Sequence, residues 1–129
     1  MENSLPLITF SQLWPSEQAT LFERASLVPE NGIIVEIGTA QGGSSLIFHS
    51  AAGHRGVRIF SFDITPSAEA YEHLKDTNVS IIAKKSTDGA ALWTEICGES
   101  IDLIFIDGSH ALQHVYEDFI ASQVLSVAT

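Results

Sequence analysis

Residues 31–45 are the stretch of this chain that most constrains its fold. The β-branched run 33–37 is typical of a buried parallel strand, and a turn containing Gly38 and Gly42 then leads into an apolar helical segment. Glycine has no Cβ, so the backbone of this turn can approach a ligand closely. The start of the following helix offers N–H groups that lack intrahelical partners. We therefore expect a ligand to bind at this turn.

The rest of the chain alternates between strand and helix patterns. The sequence predicts strands at 33–37, 58–63, 79–83 and 101–107, followed by helices at 43–52, 67–75, 87–96 and 111–127. An additional helix at 16–27 forms an N-terminal extension, residues 1–30, of one domain that covers residues 1–129. Four successive strand-helix units predict an α/β fold with a Rossmann-like parallel sheet and helices on both faces. Ligands of such sheets bind beyond the carboxyl ends of the strands.

The composition restricts the range of partners. The net charge is −10, from 16 acidic and 6 basic residues, and a surface of this sign repels phosphate backbones, so we expect no nucleic-acid partner. No apolar run reaches the roughly 18 residues that span a membrane. The single cysteine, Cys97, cannot form an internal disulfide, and the first residues lack the pattern of a secretory signal. These features favour a cytoplasmic location.

The glycine turn also carries a family resemblance. Its spacing, Glu-x-Gly-x-x-x-Gly from Glu36 to Gly42, differs from the dinucleotide pattern Gly-x-Gly-x-x-Gly. It resembles the first motif of the class I S-adenosylmethionine-dependent methyltransferases. The resemblance implies that Glu36 and the loop backbone at Gly38, Thr39 and Gly42 hold the methionine end of the cofactor.

Asp63 ends the second predicted strand, beside the glycine turn. A carboxylate at this place can accept hydrogen bonds from both hydroxyls of a ribose, which is the role that the resemblance implies. The alternative is a turn or helix-capping aspartate, helped by the following Thr65-Pro66. Enzymes that bind NAD place an acidic residue at the same site, so Asp63 alone does not choose between the two cofactors.

Ser86 follows the third predicted strand, where the resemblance implies a contact with the adenine. The family often has an acidic residue before this serine, but Lys85 occupies that position here. Asp88 is a nearby substitute, or a first-turn helix residue stabilised by the helix dipole.

The stretch 101–110 ends in Ile-Asp-Gly-Ser-His, which resembles the methyltransferase group that includes macrolide-sugar O-methyltransferases and cephalosporin hydroxylase-like proteins. The resemblance implies that Asp107 is a magnesium ligand and that His110 is the general base for a substrate hydroxyl. The reference pKa of histidine, about 6.5, suits that role. A bound Mg²⁺ would hold and acidify the hydroxyl.

Two alternatives remain for this stretch. Asp107 and Gly108 can simply form a turn, with Ser109 as the helix cap and His110 solvated. Asp107, His110 and His114 could instead bind zinc. We expect the aromatic side chains of Trp14, Trp93 and Tyr71 to pack in the core or at its edge.

The resemblance covers about residues 30–120, the cofactor half of the family's domain, and the family's later strands are missing. The fourth strand, 103–106, would then lie at an exposed apolar edge, so we expect a homo-oligomer formed through this strand or the last helix. The leading functional hypothesis is O-methyl transfer from S-adenosylmethionine to a small hydroxylated acceptor. The alternatives are a non-catalytic cofactor-binding or assembly module and an NAD-binding fragment.

Overall fold

The structure, a computed structural model, describes residues 14–38, 42–84, 97, 99–107 and 124–127. Its helices are α1 (Pro15–Ser26), α2 (Gly43–Ala52) and α3 (Ala68–Leu74), with a 3₁₀ turn at Gly53–Arg55. Its strands are β1 (Ile33–Ile37), β2 (Arg58–Phe62), β3 (Val79–Ile82), β4 (Leu103–Asp107) and β5 (Val124–Val127). The elements predicted between residues 16 and 83 agree with these bounds to within one or two residues. None of the helices in the described part of the chain is long and apolar enough to cross a membrane.

The five strands form one parallel sheet in the order β3-β2-β1-β4-β5. From β1 the chain first adds β2 and β3 on one side of the sheet and then β4 and β5 on the other, as in Rossmann-like folds. This strand order confirms the predicted fold class. The central strand β1 is buried over its whole length. Its β-branched residues suit this position because both faces of a parallel sheet are covered.

Two apolar clusters bury the two faces of the sheet. On one face, α1 and α2 pack against Ile34, Ile59 and Phe105. The rings of Phe48 and Phe105 contact each other edge to face, with their centroids 5.7 Å apart. The other face is formed by a second cluster: Ile33, Val35, Ile37, Phe60, Phe62, Ile101, Ile104 and Ile106. Since α1 contributes Leu21 and Ala25 to the first cluster, the N-terminal helix is part of the core.

The structure corrects the predicted end of the chain. Val124–Val127, which we expected to end the last helix, forms strand β5 and pairs in parallel with β4. Pairing along the sheet decided the conformation of these residues, because valine and leucine are tolerated in helices but favoured in strands. The helix predicted at 87–96, and residues 111–123 of the last one, lie outside the described residues.

The prediction that the fourth strand lies at an edge is also wrong. Strand β4 has β1 on one side and β5 on the other, so its backbone is paired along both sides. It therefore cannot supply the oligomer contact that the sequence suggested.

Candidate functional site

The carboxyl ends of the strands bring the predicted site residues to one edge of the sheet. Ile37 pairs with Phe62 on one side and Ile106 on the other, so Gly38, Asp63 and Asp107 occupy neighbouring strand ends. The Gly38 N–H donates to Phe62 O at 2.9 Å, and the Asp63 N–H donates to Ile82 O at 3.1 Å. Since neighbouring strands lie about 4.8 Å apart, a single small ligand can span these ends.

Helix α2 begins at this edge, directly after Gly42. Gly42 is the N-cap residue in the left-handed conformation, φ +92°, and it has no side chain that could accept a hydrogen bond from the first turn. A Cβ added at Gly42 would lie 3.1 Å from Leu74 Cγ, so glycine is required both by conformation and by space. Gly38 also has a positive φ, +97°. The first-turn N–H groups and the positive end of the helix dipole are thus available to a negatively charged group.

Glu36 lies inside the protein, beneath this helix start. Its side chain is fully buried, and its carboxyl oxygens accept hydrogen bonds from the hydroxyls of Ser44, Ser45 and Ser61. The Ser61 bond measures 2.8 Å and follows from the sheet register, because Glu36 pairs with Ser61 across β1 and β2. Burial of a carboxyl group requires such partners.

Sequence reasoning did not single out the three serines. Two of them, Ser44 and Ser45, directly follow the glycine turn, and Ser61 interrupts the apolar strand Arg58–Phe62. A polar residue within a buried strand was the available signal, because such a residue needs a partner. Which residue supplies that partner depends on the register between β1 and β2, and local sequence does not give the register.

Asp63 lies at the tip of β2 and is partly exposed. Its Oδ1 accepts a hydrogen bond from the Thr65 N–H at 3.0 Å, which is the geometry of an Asx turn. The turn role considered from the sequence is therefore present. The turn uses Oδ1 as an acceptor, and a contact with a ribose stays a prediction for this carboxylate.

The remaining predicted site residues are only partly covered. Thr39, Ser86 and His110, together with the alternatives Asp88 and His114, lie outside the described residues. Asp107 is the last residue of β4, and its backbone lies at the same edge as Gly38. Within the residues that the structure describes, no group of three or more histidine, cysteine, aspartate or glutamate side chains could hold a metal ion.

The aromatic side chains near this edge differ from expectation. Trp14 immediately precedes α1 and is 74% exposed, so the prediction that it packs in the core is wrong. Tyr71 on α3 is 49% exposed, which agrees with a place at the edge of the core. Trp93 lies outside the described residues.

The comparisons with known proteins agree with this geometry. Residues 35–126, more than half of the chain, match the sequence profile of the methyltransferase domain family. The chain belongs to this family. Its matched region begins within β1, includes the glycine turn and Asp63, and extends into β5. No curated protein matches the chain.

Several solved methyltransferases share the fold. A proposed protein-L-isoaspartate O-methyltransferase from Plasmodium falciparum, in complex with S-adenosyl-L-homocysteine, has a TM-score of 0.67 at 11% identity over 97% of this chain. An rRNA methylase from Streptococcus thermophilus has a TM-score of 0.58 at 14% identity over 84% of the chain. A SAM-dependent O-methyltransferase from Thermotoga maritima has a TM-score of 0.57 at 16% identity over 78%.

At these low sequence identities, the similarity to the three solved structures shows a shared fold and nothing more specific. The present chain spans 66%, 61% and 37%, respectively, of the lengths of the three structures.

Proposed function

We propose that this methyltransferase domain binds S-adenosylmethionine at the carboxyl edge of the sheet and supports O-methyl transfer to a small hydroxylated acceptor. The observation that carries the proposal is the start of α2, whose N-cap residue is a left-handed glycine, Gly42, and which lies beside the end of β2. This arrangement provides N–H donors for the carboxylate at the methionine end of the cofactor. Membership of the methyltransferase domain family supports the same cofactor.

The residues of the edge suit the parts of this cofactor. Gly38 and Gly42 leave room for close approach to the backbone, and Thr39 lies in the same turn. Asp63, on the neighbouring strand end, carries a carboxylate, a group that can accept hydrogen bonds from ribose hydroxyls. We assign Ser86, after β3, to the adenine on the basis of its position in the sequence. These three contacts follow the strand order β1, β2, β3 along the sheet.

His110 is the proposed general base, three residues after Asp107 at the end of β4. S-adenosylmethionine, when bound, supplies a methyl group on a positively charged sulfur. As the acceptor oxygen bonds to the methyl carbon, the carbon–sulfur bond breaks, its electron pair stays on sulfur, and the hydroxyl proton passes to a ring nitrogen of His110. The domain contributes mainly the alignment of acceptor and methyl group.

A magnesium ion at Asp107, as in the macrolide O-methyltransferase and cephalosporin hydroxylase-like group, is a finer proposal. A complete oxygen-ligand set for Mg²⁺ needs several groups, and Asp107 supplies one. Dependence of acceptor methylation on Mg²⁺, abolished by chelator and restored by the metal, is the result that this finer proposal predicts.

We also propose a cytoplasmic homo-oligomer. In the described part of the chain, β5 is one end of the sheet order, and an open strand edge favours pairing with another chain. Light scattering at micromolar concentration should give a mass above that of one chain. A monodisperse monomer would contradict the oligomer.

The experiment that tests the proposed function is calorimetric titration with S-adenosylmethionine, S-adenosylhomocysteine and NAD, followed by an assay for S-adenosylhomocysteine formation with a panel of phenolic and sugar acceptors. The proposal predicts micromolar binding of the first two ligands, no binding of NAD, and turnover with at least one class of acceptor that is lost in His110→Gln. Binding without turnover would favour the non-catalytic module. Binding of NAD alone would overturn the proposal.

A further inference from the structure

The fully buried Glu36 links three elements of the site. Its Oε1 accepts hydrogen bonds from Ser45 on α2 and from Ser61 on β2, and its Oε2 accepts one from Ser44 on α2. Glu36 itself belongs to β1. One carboxyl group therefore joins the first turn of α2 to the two strands whose ends form the candidate site.

Burial places the Glu36 carboxyl group out of reach of a ligand. The side chains of Glu36, Ser45 and Ser61 are 0% exposed, and Ser44 is 7% exposed. A residue with this burial and these partners acts on a ligand only through the elements it connects. Its effect is then on where α2 begins and in which direction the first-turn N–H groups point.

The glycines of the turn make this anchoring necessary. Gly42, which precedes α2, has a positive φ, and glycine leaves the backbone more conformational freedom than any other residue. As the N-cap residue, Gly42 also offers no side chain that could fix the start of α2. The hydroxyl contacts of Ser44 and Ser45 with Glu36 connect the first turn of α2 directly to β1.

We propose that Glu36 is a positioning residue, which clamps the start of α2 to β1 through Ser44 and Ser45 and thereby orients the N–H groups that hold the methionine end of the cofactor. Ser61 joins the same carboxyl group to β2 without contributing to the contact with the helix. The ligand part of this inference rests on the proposed function. The resemblance implied that Glu36 helps to hold the methionine end of the cofactor, and the clamp gives it an indirect part in that contact.

The chain offers a matched pair of variants to test the clamp. Ser45 and Ser61 are equally buried and donate to the same carboxyl oxygen, but Ser45 lies on the helix and Ser61 on a strand. A purely structural network predicts equal effects of Ser45→Ala and Ser61→Ala. The clamp predicts that Ser45→Ala raises the dissociation constant of S-adenosylhomocysteine at least tenfold, whereas Ser61→Ala changes it less than threefold. Ser45→Thr, which restores a hydroxyl, should recover most of the affinity.

A second readout needs no ligand. The Leu46 N–H donates to Gly42 O at 3.0 Å, in the first hydrogen bond of α2. Amide hydrogen exchange measured by NMR should accelerate at Leu46 in Ser45→Ala by at least tenfold relative to Ala51 near the end of the same helix, and not in Ser61→Ala. Equal acceleration in both variants, or none in either, would overturn the clamp.

The affinity and the amide-exchange measurements test the clamp and the proposed cofactor binding independently. Failure of the wild-type protein to bind S-adenosylhomocysteine would contradict the proposed function, while the exchange comparison would still decide whether Glu36 holds the helix start.

Discussion

The two ends of the parallel sheet differ in how the helix end beside β1 is held. At the amino end, the Arg55 guanidinium donates to the carbonyls of Ala25, Ser26 and Val28 at the end of α1. Asp102 Oδ2 accepts from the Ile33 N–H at 2.8 Å. At the carboxyl end, Ser67 caps α3 by accepting from the Ala70 N–H at 3.1 Å, whereas α2 follows Gly42, which has no side chain that could cap it. The difference marks the start of α2, rather than the carboxyl end as a whole, as the place where a ligand is expected.

Arg55 should give the largest effect on stability. Arg55→Ala removes the guanidinium donor from the carbonyls of Ala25 and Ser26, although Ala25 O keeps the Val28 N–H, and we expect a loss of about 2 kcal/mol in the free energy of unfolding. Arg55→Lys should lose less, because the ammonium keeps the charge near the helix end but not the forked geometry. Urea denaturation measures both changes.

The same variants test the comparison between the two ends. After correction for any unfolded fraction, Arg55→Ala should bind S-adenosylhomocysteine with wild-type affinity, because the amino end takes no part in the site. A tenfold weaker affinity in the folded protein would show that the two ends are not separate in function.

Gly42 and Gly56 form a matched pair at opposite ends. Both have a positive φ, +92° and +74°; an added Cβ would be in tight contact with Leu74 at the first and would clash with the Asn31 side-chain oxygen at the second, where that side chain must move. We expect Gly42→Ala and Gly56→Ala each to cost roughly 1–2 kcal/mol of stability from backbone strain. Thermal unfolding measures this cost.

Only Gly42→Ala should also weaken S-adenosylhomocysteine binding, since it alters the turn before α2. Calorimetry on the folded variants separates the two effects. If Gly56→Ala weakened binding as much as Gly42→Ala, the loss would come from general destabilisation and the contrast between the ends would fail.

His49 should give the smallest effect. Burial lowers the pKa of His49 below its ordinary value of 6.5, and its Nδ1 accepts a hydrogen bond from the Asn78 N–H at 3.3 Å. The unfolded state therefore binds more protons, so this contribution to stability is complete above about pH 6.5 and is lost as the pH falls through the lower pKa of the folded state.

Denaturation between pH 7.5 and 5 in His49→Gln should show a shallower loss of stability on acidification than in the wild type. His54→Gln, which changes an exposed side chain in the 3₁₀ turn that follows α2, is the control. Identical pH profiles of stability for the wild type and His49→Gln would exclude His49 as a source of the loss of stability on acidification.

Sequence patterns predicted the fold better than the contacts of the site. The bounds of α2, Gly43–Ala52, agree with the prediction because the glycine turn and the apolar face fix both ends locally. Strand β5 was missed because pairing with β4, which depends on the whole sheet, decided between helix and strand for 124–127. The environment of Glu36 was missed for a similar reason, since Ser61 reaches it only through the register of β1 with β2.

The family resemblance implied that Glu36 and Asp63 both contact the cofactor, but the two side chains differ in their burial. Both are acidic and lie on neighbouring strands, but Glu36 is enclosed by hydroxyl donors whereas Asp63 is partly exposed at the strand end. Residue type and spacing cannot distinguish these environments. The distinction requires knowledge of which side chains the sheet and α2 bring together.

The central claim, that the carboxyl end of the sheet binds the cofactor, is tested most directly by titrating S-adenosylhomocysteine into the wild type, Asp63→Asn and Asp76→Asn. Asparagine at 63 keeps an oxygen for the Thr65 N–H, so the turn is preserved while the carboxylate is lost. Asp76 is an exposed aspartate between α3 and the start of β3, at the opposite end of the sheet. The account predicts micromolar binding that weakens at least tenfold in Asp63→Asn and is unchanged in Asp76→Asn. Equal affinity in all three proteins, or no binding by the wild type, would contradict it.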